Sequence, residues 1–114
     1  MLPKVLVAAA VRPIMLAILA QGESYGYQII QRIHDLSDGK LAWSDGTLYP
    51  VLHRLEGEGL VRSTWRMSEA GRKRKYYRLT HAGQAALAQE QAHWFDMHAI
   101  LLKLWPTPPQ LALT

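Results

Sequence analysis

Pro50 and the pair Gly57 and Gly59 leave room for only a short helix between Trp43 and Val61 (WSDGTLYPVLHRLEGEGLV). A proline in a helix interior lacks the backbone donor and costs about 3 kcal/mol, so the helix has to begin just upstream, where the first donors have no partner anyway. A start at Asp45 to Thr47, capped by Ser44 or Asp45, places Pro50 near the first turn. The two glycines then end the helix before Leu60. On a 100° wheel Leu48, Val51, Leu52 and Leu55 share one face. Pro50 and His53 point the opposite way, flanked by Tyr49 on one side and by Thr47 and Arg54 on the other.

The segment that follows indicates what that outward face is for. From Arg62 to Arg78 there are seven Arg or Lys residues against one acid, Glu69, a local balance of +6 in a chain that totals +4; the rest therefore carries 4 − 6 = −2. Leu60 to Arg66 alternates as a strand, Met67 to Arg72 (MSEAGR) reads as a turn, and Lys73 to Leu79 as the returning strand. A short helix followed by a hairpin with a basic tip is how a winged helix presents itself to a nucleic-acid backbone. The alternative is a winged-helix protein-interaction module that never touches DNA and whose wing binds an acidic partner. Salt titration separates the two, because phosphate contacts make affinity for duplexes of any sequence fall steeply with salt.

With 114 residues, 49% of them hydrophobic, the chain can bury one modest core. The absence of cysteine excludes disulfides, cysteine-based zinc sites and a cysteine nucleophile. The expected organisation is a winged-helix domain over residues 1–80 with an N-terminal arm over 1–12, a C-terminal helix over 81–105 and an extended tail over 106–114. The apolar run Val5 to Ala20 is interrupted by Arg12 and Pro13, which argues against an exported leader or a membrane span and for a cytoplasmic protein. Helix 1 is expected from Pro13, in its first turn, to Ala20, largely buried through Ile14, Leu16, Ile18 and Leu19. Helix 2 is expected from an N-cap at Ser24, with Ile29, Ile30, Ile33 and Leu36 inward, ending at Ser37-Asp38-Gly39.

Thr80 should cap the last helix, from His81 to about Trp105, where Pro106 stops it. Leu87, Trp94 and Leu101 fall seven apart, with Met97 and Leu104 at the matching positions and Glu90 interrupting. Such a seam can pack on helix 1 and on a second copy, which predicts a homodimer with Leu87, Trp94, Met97 and Leu101 in its interface. Tyr76 and Tyr77 point to opposite faces of their strand, and Leu79 shares the face of Tyr77, making Tyr77 the core residue. Tyr25 and Tyr27 are expected to anchor helix 2, and Trp43 and Trp65 to buttress the winged helix. Glu90 and His93 have the spacing of half a dimetal carboxylate motif, but the other ligands are missing from the chain. His93 and His98 share no helix face, and there is no GxSxG or phosphate-cradling loop. The expectation is no enzyme, no cofactor and no metal.

Tyr25-Gly26-Tyr27 with Ile29-Ile30, Gly46-Thr47-Leu48-Tyr49-Pro50, Arg54-Leu55-Glu56 with Gly59-Leu60-Val61, Arg74-Lys75-Tyr76-Tyr77-Arg78-Leu79-Thr80 and Gly83 stand in an order and spacing that resemble the PadR family of bacterial winged-helix transcriptional regulators. The resemblance spans roughly Pro13 to Leu104. It implies a mainly α fold with a small β-hairpin wing, a winged helix-turn-helix plus a C-terminal dimerisation helix. It further implies a homodimer on inverted-repeat double-stranded DNA, usually as a repressor. The single short C-terminal helix resembles the short-tailed branch, some members of which bind flat aromatic compounds between dimer-interface tryptophans. On that basis a small aromatic or phenolic effector is expected beside Trp94, with plain dimer packing as the alternative role of that residue.

The candidate DNA-binding residues follow from both readings. Tyr49, Pro50, His53 and Arg54 enter or border the major groove, Ser44 and Thr47 donate to phosphates at the helix start, and Arg72, Lys73, Arg74 and Lys75 sit at the wing. His53 and Arg54 are the candidates for reading base edges.

Overall fold

The structure, a computed structural model, describes residues 2–106. Along the chain run α1 (Lys4–Ala20), β1 (Ser24–Tyr25), α2 (Gly26–Leu36), α3 (Asp45–Gly57), β2 (Val61–Met67), β3 (Lys73–Leu79) and α4 (His81–Leu104). The strands form one antiparallel sheet in the order β1-β3-β2. This is the expected class, a winged helix with a long C-terminal helix.

The core forms where the apolar helix faces meet the base of the sheet. Met15, Leu16, Ile18 and Leu19 of α1, Ile29 and Ile33 of α2, Leu48, Leu52 and Leu55 of α3, Val61 and Tyr77 of the sheet, Trp43 and Leu87 are all buried. Burying a side chain of this size contributes about 1.5–3 kcal/mol, so this cluster dominates the stability. Tyr77 is core as its strand face required, and Trp43 lies beneath the winged helix. Ile30 packs at the margin of the core, but Leu36, at the last position of α2, is exposed.

Several elements depart from the sequence expectation. Residues 4–12 are not an arm: α1 is continuous from Lys4, and Pro13 lies inside it. Its missing donor would have met the carbonyl of Ala9, an exposed residue whose oxygen water can serve, while Val7, Val11 and Ile14 extend the packed face on both sides of the proline. Ser24 does not cap α2. It sits in β1, paired with Tyr77, and its hydroxyl donates to Gln28 Oε1 at 2.9 Å, so the third strand takes the residues expected to start the helix. Tyr27 is exposed and anchors nothing in the core. The expected tail, apart from Pro106, lies outside the described residues.

Two junctions tie the elements together around α4. Thr80 caps α4 as expected: its hydroxyl accepts from the Gly83 amide at 3.0 Å and donates to the Gly59 carbonyl at 2.7 Å, while its own amide donates to the Leu60 carbonyl at 3.0 Å. Gly83 has no room for a side chain, since a Cβ there would lie 2.1 Å from the Leu60 oxygen. The second junction is Arg12, whose guanidinium pairs with Glu58 after α3 at 2.7 Å and with Glu90 of α4 at 3.2 Å. Glu90, the acid that interrupts the apolar seam, thereby ties α4 to α1.

Candidate nucleic-acid interface

Backbone geometry sets up α3. Ser44 occupies the N-cap position in an extended conformation and its carbonyl accepts from Thr47 and Leu48, but its side chain makes no capping bond. That hydroxyl is left on the surface. Pro50 is in the second turn rather than the first, on the exposed side. Ser44, Thr47, Tyr49, Pro50, His53 and Arg54 are all exposed, as a groove-facing surface requires.

The structure divides these residues. Tyr49 stands on the wing side of α3 and is held there by α2: a Cβ at Gly26 would come within 3.1 Å of the Tyr49 hydroxyl, so glycine is what lets the two helices close around the ring. Arg54 is on the opposite flank, sharing a shallow depression with Ala8, Val11 and Arg12 of α1. His53 and Pro50 lie between the two flanks.

Sheet register divides the wing in the same way. Val61 faces Leu79, Ser63 faces Tyr77 and Trp65 faces Lys75 across the hairpin, and because Val61 and Tyr77 are buried, this is the inner face. Toward the tip it leaves the core behind. Trp65, expected to buttress the fold, is 57% exposed, with Lys73 Nζ 5.5 Å and Lys75 Nζ 5.8 Å from its ring centroid. Arg74 belongs to the outer face, where its guanidinium lies 4.3 Å over Tyr25, and Arg72 sits at the turn. That turn closes through Ser68, whose amide donates to the Arg72 carbonyl at 2.7 Å and whose hydroxyl accepts from the Arg72 amide at 3.1 Å.

Between the inner wing and α3 runs an open cleft of about 770 Å³, with Asp45 and Tyr49 on one wall, Trp65, Lys73 and Lys75 on the other and Tyr77 between them. Glu56 fixes the spacing of these walls. Its Oε2 accepts from the Ser63 hydroxyl at 2.6 Å and from the Ser63 amide at 2.9 Å. The Ser63 hydroxyl holds the Glu56 carboxyl below its usual range, helped by the Ser63 amide and the nearby charges of Lys75 and His53 and opposed by burial. Burial, with Tyr49 and Glu56 nearby, pushes the Tyr77 phenol up. Glu56 was visible in the sequence only as a motif residue. Its partner Ser63 follows from the hairpin register, which puts that position on the face turned to α3.

The far end of the chain presents a different surface. Leu87 is only 8% exposed and belongs to the core of its own chain, so it does not join the interface expected of it. Leu101 is half-buried, Trp94 is 37% exposed and Met97 is exposed. The expected seam is therefore core at Leu87, half-buried at Leu101 and exposed at Trp94, Met97 and Leu104. Outside it, Phe95 at 69% and Leu102 at 56% exposure stand seven apart on a flank the heptad reading left out, with Ile100 also exposed. No helix among the described residues is long and apolar enough to cross a membrane.

Residues 15–89 match the transcriptional regulator PadR-like family. The transcriptional regulator Rv3488 of Mycobacterium tuberculosis is 45% identical over 83 residues, 73% of this chain and 74% of that protein. Among solved structures, a transcriptional regulator from Clostridium thermocellum aligns with a TM-score of 0.82 at 28% identity, over 93% of this chain and 100% of its own. A PadR-like transcriptional regulator from Bacillus cereus aligns with a TM-score of 0.78 at 27% identity, over 90% and 97%. With the winged helix, the basic hairpin and the long last helix in the same order, the chain belongs to the PadR-like family of transcriptional regulators.

Proposed function

We propose that this regulator is a repressor that binds inverted-repeat duplex DNA as a homodimer through α3 and the inner face of the wing. The observation that carries the reading is the cleft whose two walls are the exposed side of α3 and the Trp65, Lys73 and Lys75 side of the hairpin. Thr47 and Ser44 face phosphates at the start of α3, Tyr49, Pro50 and His53 meet the groove, and Lys73, Lys75 and Arg72 neutralise backbone charge along it. Arg54 contacts DNA from the α1 flank, and Arg74 from the outer side of the wing. The test is binding to a duplex selected from a random pool and to unrelated duplex over a salt series. Affinity for both should fall linearly on logarithmic axes, and His53→Ala should narrow the gap between them by about 1–3 kcal/mol if His53 reads a base. Salt-independent binding, or none, would leave the wing to an acidic protein partner.

The dimer is supported by the apolar surface at the distal half of α4. An isologous contact there joins two copies of α3, one for each half-site, in a single two-fold assembly. Trp94, partly exposed at the edge of this surface, borders the place where a flat aromatic or phenolic effector would sit between copies. Such a compound releases DNA only if it prefers a dimer geometry that fits the operator poorly, so its affinity must fall when operator is bound. Tryptophan fluorescence with a panel of planar aromatics, in wild type and Trp94→Ala, tests this. Unchanged binding in the variant returns Trp94 to packing alone.

A further inference from the structure

The outer face of the wing carries a second row of cations, of which only Arg74 also lines the cleft. The hairpin register puts Arg62 directly opposite Arg78 and Arg66 directly opposite Arg74, on the face away from the core. Like charges directly opposed across a sheet destabilise it, so one such pair needs compensation and two in succession need more. The pair nearer the tip has it: Arg66 is paired with Glu23 and lies 4.0 Å over the Tyr76 ring, and Arg74 lies over Tyr25. The pair nearer the base does not. Arg62 and Arg78 are exposed, and among the described residues neither makes an ion pair or stacks on a ring.

We propose that this outer face is a second DNA-binding surface, which takes the duplex flanking each half-site and holds it through Arg62 and Arg78. The inference rests on the DNA-binding reading above. Two features favour duplex DNA as the occupant. The row is continuous around the turn, through Arg72, with the cations of the cleft, so a polyanion that neutralises one face is already next to the other. Its length also fits: four residues at about 3.3 Å each give a strip of about 13 Å, which spans about four phosphates of one strand at 3.4 Å per step. All four cations are arginines, whose planar guanidinium can bond a phosphate with two donors at once. Flanking duplex that reaches this face has to curve toward the sheet, so the contact bends the DNA at base pairs that α3 never touches.

The experiment uses the full chain and a duplex selected from a random-sequence pool, prepared in two lengths. One is trimmed to the base pairs whose identity selection fixes; the other carries random flanks of about one helical turn, roughly 10 base pairs, on each side. Wild type should bind the flanked duplex more tightly, and the double variant Arg62→Gln with Arg78→Gln should lose that advantage while binding the trimmed duplex as before. Two phosphate contacts in each protomer, four in the dimer, at a salt slope of about 0.9 each give about a 150-fold change between 50 and 200 mM salt, and the flanked duplex should lose that salt dependence in the variant. Equal affinity of the variant and wild type for the flanked duplex would overturn the proposal, as would equal losses on both lengths. Thermal unfolding of the variant should be unchanged or raised, because an opposed pair of like charges is removed; a fall would assign the two arginines to the sheet instead. If selection yields no bound duplex at all, the DNA-binding reading fails and this one with it. A Lys73→Ala, Lys75→Ala variant that loses affinity on both lengths separates the two surfaces.

Discussion

The wing and the distal half of α4 both project from the same core, yet one exposes mainly charge and the other mainly apolar surface. At the wing the large side chains that leave the core, Met67 excepted, are charged or carry a polar edge: Lys73 and Lys75 lie against Trp65, Arg66 against Tyr76 and Glu23, Arg74 against Tyr25. On α4 the side chains that leave the core are Phe95, Met97, Ile100, Leu102 and Leu104, which nothing among the described residues covers. Exposure therefore carries opposite meanings at the two ends. A charged surface waits for a ligand without loss of stability, whereas an apolar one favours a permanent neighbour.

The sharpest way to break this contrast is to make the α4 surface polar. Phe95→Glu with Leu102→Glu places charges where a second copy would pack. Four such side chains in a two-fold contact, at about 1.5–3 kcal/mol each, give on the order of 6 kcal/mol of association free energy to lose. Sedimentation should show a monomer whose melting temperature no longer rises with protein concentration. A variant that sediments like wild type would mean that this flank faces water in the assembly and that the dimer is built elsewhere.

Gly83→Ala acts at the joint between the two regions. The added methyl meets the Leu60 carbonyl, which the Thr80 amide needs, and the Leu79 side chain at 2.5 Å. Overpacking against backbone costs about 1–3 kcal/mol or more, and chemical denaturation should show it as a lower midpoint. Stability unchanged from wild type would mean that α4 shifts freely against the sheet, and the two regions would then be far less firmly joined than the contact implies.

Much of the wing was legible in the sequence, and much of α4 was not, for physical reasons. The hairpin follows from local chemistry: an alternating run, a turn with Gly71 at φ +82° and a basic return strand. Its inner and outer faces follow once Tyr77 is assigned to the core. What failed was the reach of the core, because period alone does not say how far a strand extends beyond it, and Trp65 shares a face with buried Val61 yet stands in solvent. β1 has two residues and no pattern, and exists because β3 offers it an edge. On α1, Pro13 is the same signal at a first turn and at a half-buried interior position, so the helix start was misplaced by nine residues, from Lys4 to Pro13. On α4 the period gave a seam, but period alone does not say that its Leu87 end is core while Trp94, Met97 and Leu104 stand exposed, and the apolar flank of Phe95 and Leu102 lies outside any single seam.

Removing the inner lysines sharpens the comparison from the charged side. Lys73→Ala with Lys75→Ala should lower affinity for selected and random duplex alike and reduce the salt slope by about 1.8 per protomer bound, about 3.6 for the dimer, at about 0.9 for each phosphate. Stability should stay within about 0.5 kcal/mol, as for surface substitutions away from a packed site. A loss confined to the selected duplex would make these residues readers of sequence. A loss of stability instead of affinity would make the lysine stacks on Trp65 structural.

The smallest effect concerns the tie that sets the cleft. Glu56 is held below its usual value of 4.5, chiefly by the hydroxyl of Ser63. A carboxyl with a depressed folded value favours the folded state wherever it is ionised. Its contribution is therefore full above the unfolded value and is lost as pH falls through the folded one. Because the group is partly open to water, that contribution is below about 1 kcal/mol. Wild type should thus lose slightly more stability than Glu56→Gln on acidification from neutral pH to below the range in which free carboxyls titrate. Ser63→Ala, which removes the largest cause of the shift but leaves the backbone amide, should fall between them. At neutral pH Glu56→Gln should also weaken DNA binding by less than the lysine pair does, since α3 and the wing are then only less firmly spaced. If Glu56→Gln follows wild type at every pH, the bond to Ser63 contributes geometry without ionic stabilisation, and the wing is held to α3 by packing around Tyr77 alone.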